Sequence, residues 1–170
     1  MKYAKINTHD IANGTGVRVS LFVSGCRRHC PGCFNEEAQD FEYGKPFFED
    51  TIVDIIAALD KPWINGLTIL GGEPFEPENV NDACFLIYEV IRTFGTKKTI
   101  WMYTGYTFEE LLERECFHTS RILGNIDILV DGPFIEAQKD IPLKFRGSSN
   151  QRIINMPETL KTGKVVLAKV

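Results

Sequence analysis

Cys26-Arg27-Arg28-His29-Cys30-Pro31-Gly32-Cys33 places three cysteines at C-x3-C-x2-C spacing, directly after the apolar run Val17 to Val23. Thiolates are soft donors that select zinc, Cu(I) or iron–sulfur clusters. A structural zinc site closes with four ligands, and a [4Fe–4S] cube ordinarily takes one cysteine per iron. Three clustered thiolates therefore suggest a cube with one iron left open, and an open coordination position is where a substrate binds. The competing reading is a structural zinc on Cys26, Cys30, Cys33 and either His29 or Cys116. Closed zinc sites, however, usually pair their ligands at two separated knuckles.

Upstream of the cysteines, residues 4 to 24 read as two extended pieces around the turn Asn13-Gly14-Thr15-Gly16. Its G-x-G lacks a third glycine and leads into a strand, whereas a dinucleotide fingerprint needs strand, glycines and then helix. A turn is the better reading, and a turn can still line a site. Downstream, Phe34 to Lys45 has no apolar period and reads as a surface loop, with Phe34 and Asn35 adjoining the third cysteine. Ile52, Val53, Ile55, Ile56 and Leu59 fall at helical spacing and predict a helix over Glu49 to Leu59, stopped by Lys61-Pro62.

A short buried-type strand, Leu67 to Leu70, runs straight into Gly71-Gly72-Glu73-Pro74. Val80, Ala83, Cys84, Ile87, Ile91 and Phe94 then predict a helix over Asn79 to Phe94, capped by Gly95. Cys84 lies on that stripe and reads as a small core hydrophobe. The strand Thr99 to Tyr103 ends in Thr104-Gly105, and a helix is expected over Phe108 to Glu115, with Cys116 and His118 at its frayed end. Ile126 to Val130 is a further strand, ending in Asp131-Gly132, and Ile153-Ile154 and Val165 to Leu167 add short terminal strands.

Strands alternating with helices at this pitch predict βαβ units and an α/β fold with a mainly parallel sheet. A complete eightfold barrel takes about 250 residues, so a chain of 170 residues is expected to form a partial (β/α) barrel, laterally open. It is read as a single domain over 1–170, with Phe145 to Val170 as a C-terminal tail packing on or flanking it. In parallel α/β folds the chemistry sits at the carboxyl ends of strands. The cysteine loop, Gly71 to Pro74, Thr104-Gly105 and Asp131 should therefore face one mouth.

Composition narrows the function classes. An apolar fraction of 44% and a charged fraction of 25% are those of a globular domain. A formal net charge of −4 gives no basic footprint for nucleic acid. No apolar run approaches the roughly 20 residues that span a bilayer, so no membrane partner is expected. Five cysteines without a secretory-type N-terminus lead us to expect a cytoplasmic setting and metal chemistry in place of disulfides. Within the mouth, Gly71-Gly72 permits close backbone approach and Glu73 offers an acidic acceptor to an ammonium group.

Cys26-x3-Cys30-x2-Cys33 followed by Gly71-Gly72-Glu73-Pro74 resembles the radical S-adenosylmethionine superfamily. Several stretches resemble, more narrowly, the activating-protein family of anaerobic (class III) ribonucleotide reductases. They are Asn13-Gly14-x-Gly16-x-Arg18, Leu21 to Cys26, Cys30-Pro31-Gly32-Cys33-Phe34-Asn35, Trp101-x-Tyr103-Thr104-Gly105-Tyr106, Val130-Asp131-Gly132 and Arg146 to Arg152. Gly32 stands where most of the superfamily carries an aromatic, with Phe34 just after the third cysteine, a shift the narrower family shares. Thr15 replaces a frequent proline and Glu73 a frequent aspartate.

The resemblance implies that Cys26, Cys30 and Cys33 hold one [4Fe–4S] cluster whose open iron binds S-adenosylmethionine. Reductive cleavage would yield a 5′-deoxyadenosyl radical, which takes a hydrogen atom from a glycine of the large catalytic subunit of the reductase. It further implies that Gly32 and Phe34 border the adenosine, that Gly71, Gly72 and Glu73 meet the methionine amine, and that Thr104 and Asp131 finish the pocket. For Asp131 a cap on the following turn is the alternative. No acid–base residue is required. The loop Phe34 to Lys45 and the tail Phe145 to Arg152 are candidate docking surfaces for the large subunit, and an electron donor such as a flavodoxin-type protein is implied. Activation of another glycyl-radical enzyme, or another small radical chemistry, is the nearest alternative.

Overall fold

The computed structural model describes residues 1–170. Seven strands form one sheet: β1 (Lys2–Asp10), β2 (Val17–Val23), β3 (Lys45–Pro46), β4 (Ile64–Gly71), β5 (Thr99–Tyr103), β6 (Ile128–Asp131) and β7 (Arg152–Asn155). Their order is β3-β1-β2-β4-β5-β6-β7. The four central strands β2, β4, β5 and β6 are mutually parallel. Antiparallel strands flank them, β1 and β3 on one side and β7 on the other. The expected α/β architecture with a parallel centre is therefore present, built in the manner of a (β/α) barrel segment.

Helices α1 (Glu49–Leu59) and α2 (Pro77–Phe94) connect the central strands, and α3 (Phe108–Glu113) with α4 (Phe117–Leu123) makes the next crossover. A strand points alternate side chains to opposite faces. Val19 and Leu21 of β2, Leu67 and Ile69 of β4, Ile100 and Met102 of β5 and Leu129 of β6 all face the helices. They join Ile55, Leu59, Leu86, Val90 and Ile122 in a core of 26 buried residues. Each such side chain contributes about 1.5–3 kcal/mol on burial, which holds the strand ends in place for the site.

The opposite face alternates with this one. Ser20, Thr68, Trp101 and Ile128 stand level across four strands, and Trp101, Ile128, Val130 and Ile153 form a smaller cluster that Tyr103 and Phe145 pack against. At the floor of this face Arg18 is fully buried. Its guanidinium donates through Nε to Thr68 Oγ1 (2.7 Å), through Nη1 to Thr15 O and Thr99 Oγ1, and through Nη2 to Leu67 O and Thr99 O. A guanidinium has five N–H donors, and all are used. The turn before β2 lies over this group: Thr68 Oγ1 donates to Asn13 O, and a Cβ on Gly14 (φ +130°) would meet Arg18 Cδ at 2.8 Å.

Three expectations change in detail. The helix expected over Phe108 to Glu115 is two helices. Thr107 and Glu110 close a reciprocal cap at the start of α3, Glu115 (φ +48°) reverses the chain, and Cys116 is the N-cap residue of α4 rather than a frayed end. The terminal segment is part of the sheet: β7 pairs with β6, α5 (Met156–Thr162) follows, and Ile154 and Met156 are completely buried. Val165 to Leu167 contributes only a single bridge, between Leu167 and Ile154. No helix is long and apolar enough to cross a membrane.

Candidate active site

The cysteine loop leaves the end of β2 through Gly25 (φ +93°), where a Cβ would lie 2.2 Å from the Phe41 ring. Gly25 N–H and Cys26 N–H donate to Ala38 O and Gln39 O, so the loop's first residues are fastened to the segment that follows it. His29 (φ +45°) and Gly32 (φ +69°) provide the reversals that bring the chain back between cysteines. Cys26, Cys30 and Cys33 are free and half-buried, and all three line one cavity of about 390 Å³. The Arg28 amide points at Cys26 Sγ and the Asn35 amide at Cys33 Sγ, each at 3.4 Å. The Arg28 amide favours the Cys26 thiolate, but burial outweighs it and pushes that thiol up to about 11.

The second wall is the end of β4. Gly72 N–H donates to Val23 O and Glu73 N–H to Gly25 O (2.8 Å), continuing the β2–β4 pairing past the strands. A Cβ on Gly72 would lie 2.6 Å from Gly25 O and 2.9 Å from Ala38 O, both backbone atoms. Only glycine lets the two segments approach this closely. Asn79, at the start of α2, locks the junction by donating to Ser24 O and Glu73 O.

Glu73 is fully buried. Its carboxylate accepts from Phe75 N–H (3.0 Å), Thr104 Oγ1 (2.9 Å) and Gly105 N–H (2.7 Å). Burial outweighs these bonds and pushes the carboxyl up to about 7. Near neutrality the group can therefore gain or release a proton, and a cation arriving beside it would favour the ionised form. Glu76, also buried, accepts from Arg27 N–H (3.0 Å) and Arg27 Nη1 (2.8 Å), tying the cysteine loop to the start of α2.

Cys26, Cys30, Cys33, Phe34, Gly71, Gly72, Glu73 and Thr104 thus share one cavity. Two other expected residues lie differently. Gly32 is in the loop but outside the cavity lining, and a side chain there would meet Glu136. Asp131 is buried, accepting from the Phe108 N–H that opens α3 (2.7 Å) and from Arg152 Nε (3.0 Å) and Nη2. Its neighbour Gly132 lines the cavity in its place. The Phe34 ring is 70% exposed and packs against Phe134 at 5.6 Å.

Asn13, Phe22, Tyr103, Phe145 and Gln151 also line the cavity. Strand alternation places Phe22 and Tyr103 on the face away from the helices, whereas Asn13, Phe145 and Gln151 reach the cavity from loops, and nothing in composition marks the five as a set.

The donor set suits a [4Fe–4S] cluster: three soft thiols from one short loop, two backed by amides, opposite a glycine ledge with room for a ligand. The three thiols line the cavity without yet converging as a metal-binding group, and no other three His, Cys, Asp or Glu side chains converge as one. The zinc alternative gains no fourth ligand within the cavity, since neither His29 nor Cys116 lines it and Cys116 packs against the helix-side core.

Known proteins are similar to this chain over most of its length. A family described as "4Fe-4S single cluster domain" matches residues 12–154. The anaerobic ribonucleoside-triphosphate reductase-activating protein of Salmonella typhi is 39% identical over 153 residues, covering 89% of this chain and 96% of that protein. Its counterparts from Enterobacteria phage T4 (37% over 155 residues, 90% and 93% covered) and Vibrio cholerae (39% over 155 residues, 90% and 97% covered) are similar over the same extent. Full-length similarity of this order, on a chain whose three thiols and glycine ledge share one cavity, means that it belongs to the radical S-adenosylmethionine family of anaerobic ribonucleoside-triphosphate reductase-activating proteins.

Proposed function

We propose that this chain activates an anaerobic ribonucleotide reductase by generating a glycyl radical on its large catalytic subunit. A [4Fe–4S] cluster with S-adenosylmethionine supplies the chemistry when bound: one-electron cleavage of the sulfonium gives methionine and a 5′-deoxyadenosyl radical, which removes a hydrogen atom from glycine. The protein's work is ligation, orientation and exclusion of water.

Cys26, Cys30 and Cys33 hold the cluster, with the Arg28 amide donating to Cys26 Sγ and the Asn35 amide to Cys33 Sγ. Gly71 and Gly72 let the backbone approach the methionine portion, and Glu73 supplies negative charge to its ammonium. Thr104, whose hydroxyl donates to Glu73, fixes the position of that carboxylate. Phe34 borders the adenosine, while Gly32, outside the cavity lining, turns the loop between Cys30 and Cys33. Asp131 acts at one remove, by holding α3 and β7 against the end of β6. A sheet that covers its cavity from one side only leaves a lateral entrance suited to a loop of another protein, and a flavodoxin-type donor is the fitting source of the electron.

The observation that carries this reading is that the three thiols and Gly71-Gly72-Glu73 line the same cavity. Its test is anaerobic reconstitution with iron and sulfide, followed by reductant and S-adenosylmethionine. 5′-Deoxyadenosine should form without the large subunit, and a glycyl-radical electron paramagnetic resonance doublet should appear with it. Absence of 5′-deoxyadenosine from protein that carries the cluster would refute the reading.

A further inference from the structure

Three charged side chains line the cavity, Arg28, Glu73 and Arg146, and two of them are already committed. The Arg28 guanidinium lies over the Tyr106 ring at 4.7 Å and stands 3.7 Å from Glu110, while Glu73 accepts from Phe75, Thr104 and Gly105. Arg146 spends a single N–H, through Nη1 to Gln151 O (2.7 Å), of the five that a guanidinium holds. No carboxylate of the chain pairs with it. The residue is half-buried, so its remaining donors are open to whatever enters the cavity.

The segment that bears Arg146 is firmly held. Phe145 sits at φ +58°, a left-handed conformation that a bulky residue keeps only where its surroundings impose it. Its ring packs edge-on against Trp101, with 5.4 Å between centroids. Gln151 Oε1 accepts from Gly147 N–H (2.8 Å) and Ser148 N–H (3.2 Å), and Gln151 Nε2 donates to Gly132 O (3.1 Å). Gly147 lies against two rings: a Cβ there would sit 3.1 Å from Phe134 and 3.4 Å from Phe34. Residues 145–147 thus run from the buried inner face to the exposed Phe34 ring, with the main chain of Arg146 fixed between them.

On the function assigned above, the methionine groups go to the open iron and to the Gly71-Gly72-Glu73 ledge, and the adenosine beside Phe34 carries no charge. The remaining occupant of the cavity is the glycine of the large subunit. It has no side chain, so it brings its flanking peptide groups in with it. Their carbonyls leave water on entry and need donors. A guanidinium presents a planar fork of donors, and hydrogen bonds from a charged group are about twice as strong as neutral ones. We propose that Arg146 donates from this fork to main-chain carbonyls of the glycine-bearing loop of the large subunit, making it a binding residue for the protein substrate and not for the cofactor. The proposal rests on the function assigned above, and its test separates the two.

Arg146→Met keeps the length of the side chain and removes its donors, whereas Arg146→Lys keeps charge and donors without the fork. Three quantities are compared with the parent: thermal midpoint, 5′-deoxyadenosine formed without the large subunit together with its KM for S-adenosylmethionine, and affinity for the large subunit with glycyl-radical yield at limiting partner. In Arg146→Met uncoupled cleavage and KM should stay within about twofold. Affinity for the large subunit should fall about tenfold, the equivalent of one charge-assisted hydrogen bond, and radical yield should fall with it. Arg146→Lys should recover part of that affinity. Undiminished affinity in Arg146→Met would overturn the proposal. A raised KM for S-adenosylmethionine without the large subunit would assign the residue to the cofactor and overturn it equally. Should midpoint and uncoupled cleavage fall together in both variants, Arg146 serves only to hold its loop through Gln151 O, which would also overturn it. If the midpoint falls in Arg146→Met alone, Arg146→Lys decides: affinity below the parent's supports the proposal, and equal affinity overturns it. A parent that carries the cluster yet forms no 5′-deoxyadenosine would end the assigned function and the proposal together, whereas a parent that cleaves, with variants that bind as tightly, ends the proposal alone.

Discussion

On the helix side of the sheet Val19, Leu21, Leu67, Ile69, Met102 and Leu129 are completely buried and wholly apolar, while the other face carries Arg18, Ser20, Thr68, Trp101 and Tyr103. Both faces come from the same strands, one residue out of phase. The helix side needs only volume and apolarity. The cavity side spends buried polar groups, and such groups are tolerated only where each is partnered or a partner is to come. Arg18 meets the first condition, with all five of its N–H groups bonded. The same contrast separates the two ends of the inner face. At the floor Arg18 and Asp10 find their partners within the chain, whereas at the mouth three thiols and the buried Glu73 line the cavity.

If that contrast is real, changes at the mouth should remove function and changes at the floor should remove stability. The largest effect is expected of Cys30→Ser, which should abolish the iron–sulfur absorbance and all reductive cleavage, as measured by 5′-deoxyadenosine. Cys84→Ala, a helix-side cysteine, should leave both intact, and loss of iron from that variant would overturn the ligand assignment.

Gly72→Ala follows. Its Cβ would need space 2.6 Å from Gly25 O, and neither backbone can yield without moving the cysteine loop. A displacement of about 1 Å at a reacting centre costs on the order of 100-fold in rate, so cleavage should fall by about that factor with iron content largely kept. A rate within threefold of the parent would show that the glycine ledge does not set the geometry.

At the floor, Arg18→Met removes the donors to Leu67 O, Thr68 Oγ1 and Thr99 O. Stranding buried acceptors in this way should destabilise the fold by about 3 kcal/mol, read by urea unfolding of the metal-free protein. A loss below about 0.5 kcal/mol, a surface-like value, would mean that water replaces the guanidinium.

The smallest effect is one of pH. Glu73 is raised from 4.5 to about 7 by burial, so the folded chain holds its proton where the unfolded chain has released it. The stability this confers is full below pH 4.5 and is lost as pH rises through 7. Glu73→Gln cannot titrate, so the stability of the variant relative to the parent should improve between pH 4.5 and 7. Parallel curves would show that Glu73 is not perturbed.

Much of this was legible in the residues. The C-x3-C-x2-C spacing, the alternation of strands and helices, and Gly71-Gly72-Glu73 at a strand end brought the cysteines and the ledge to one cavity. Those signals are local, and local signals survive translation into structure. What was not legible depends on contacts distant in sequence. Asp131, read as either a pocket residue or a cap, binds the Phe108 amide and Arg152, 23 and 21 residues away. Glu76 meets Arg27 across 49 residues. The terminal strand β7 was a faint Ile153-Ile154 signal because it is only four residues long. Its place beside β6 is set by pairing, which composition does not record.

The central claim is that three cysteines leave one iron free to bind S-adenosylmethionine. Electron–nuclear double resonance on the reduced protein, with S-adenosylmethionine labelled at its amino nitrogen or carboxylate oxygens, tests it most directly. A hyperfine coupling from each label is predicted, lost in Cys30→Ser. A reduced [4Fe–4S] signal with no coupling to either label would contradict it.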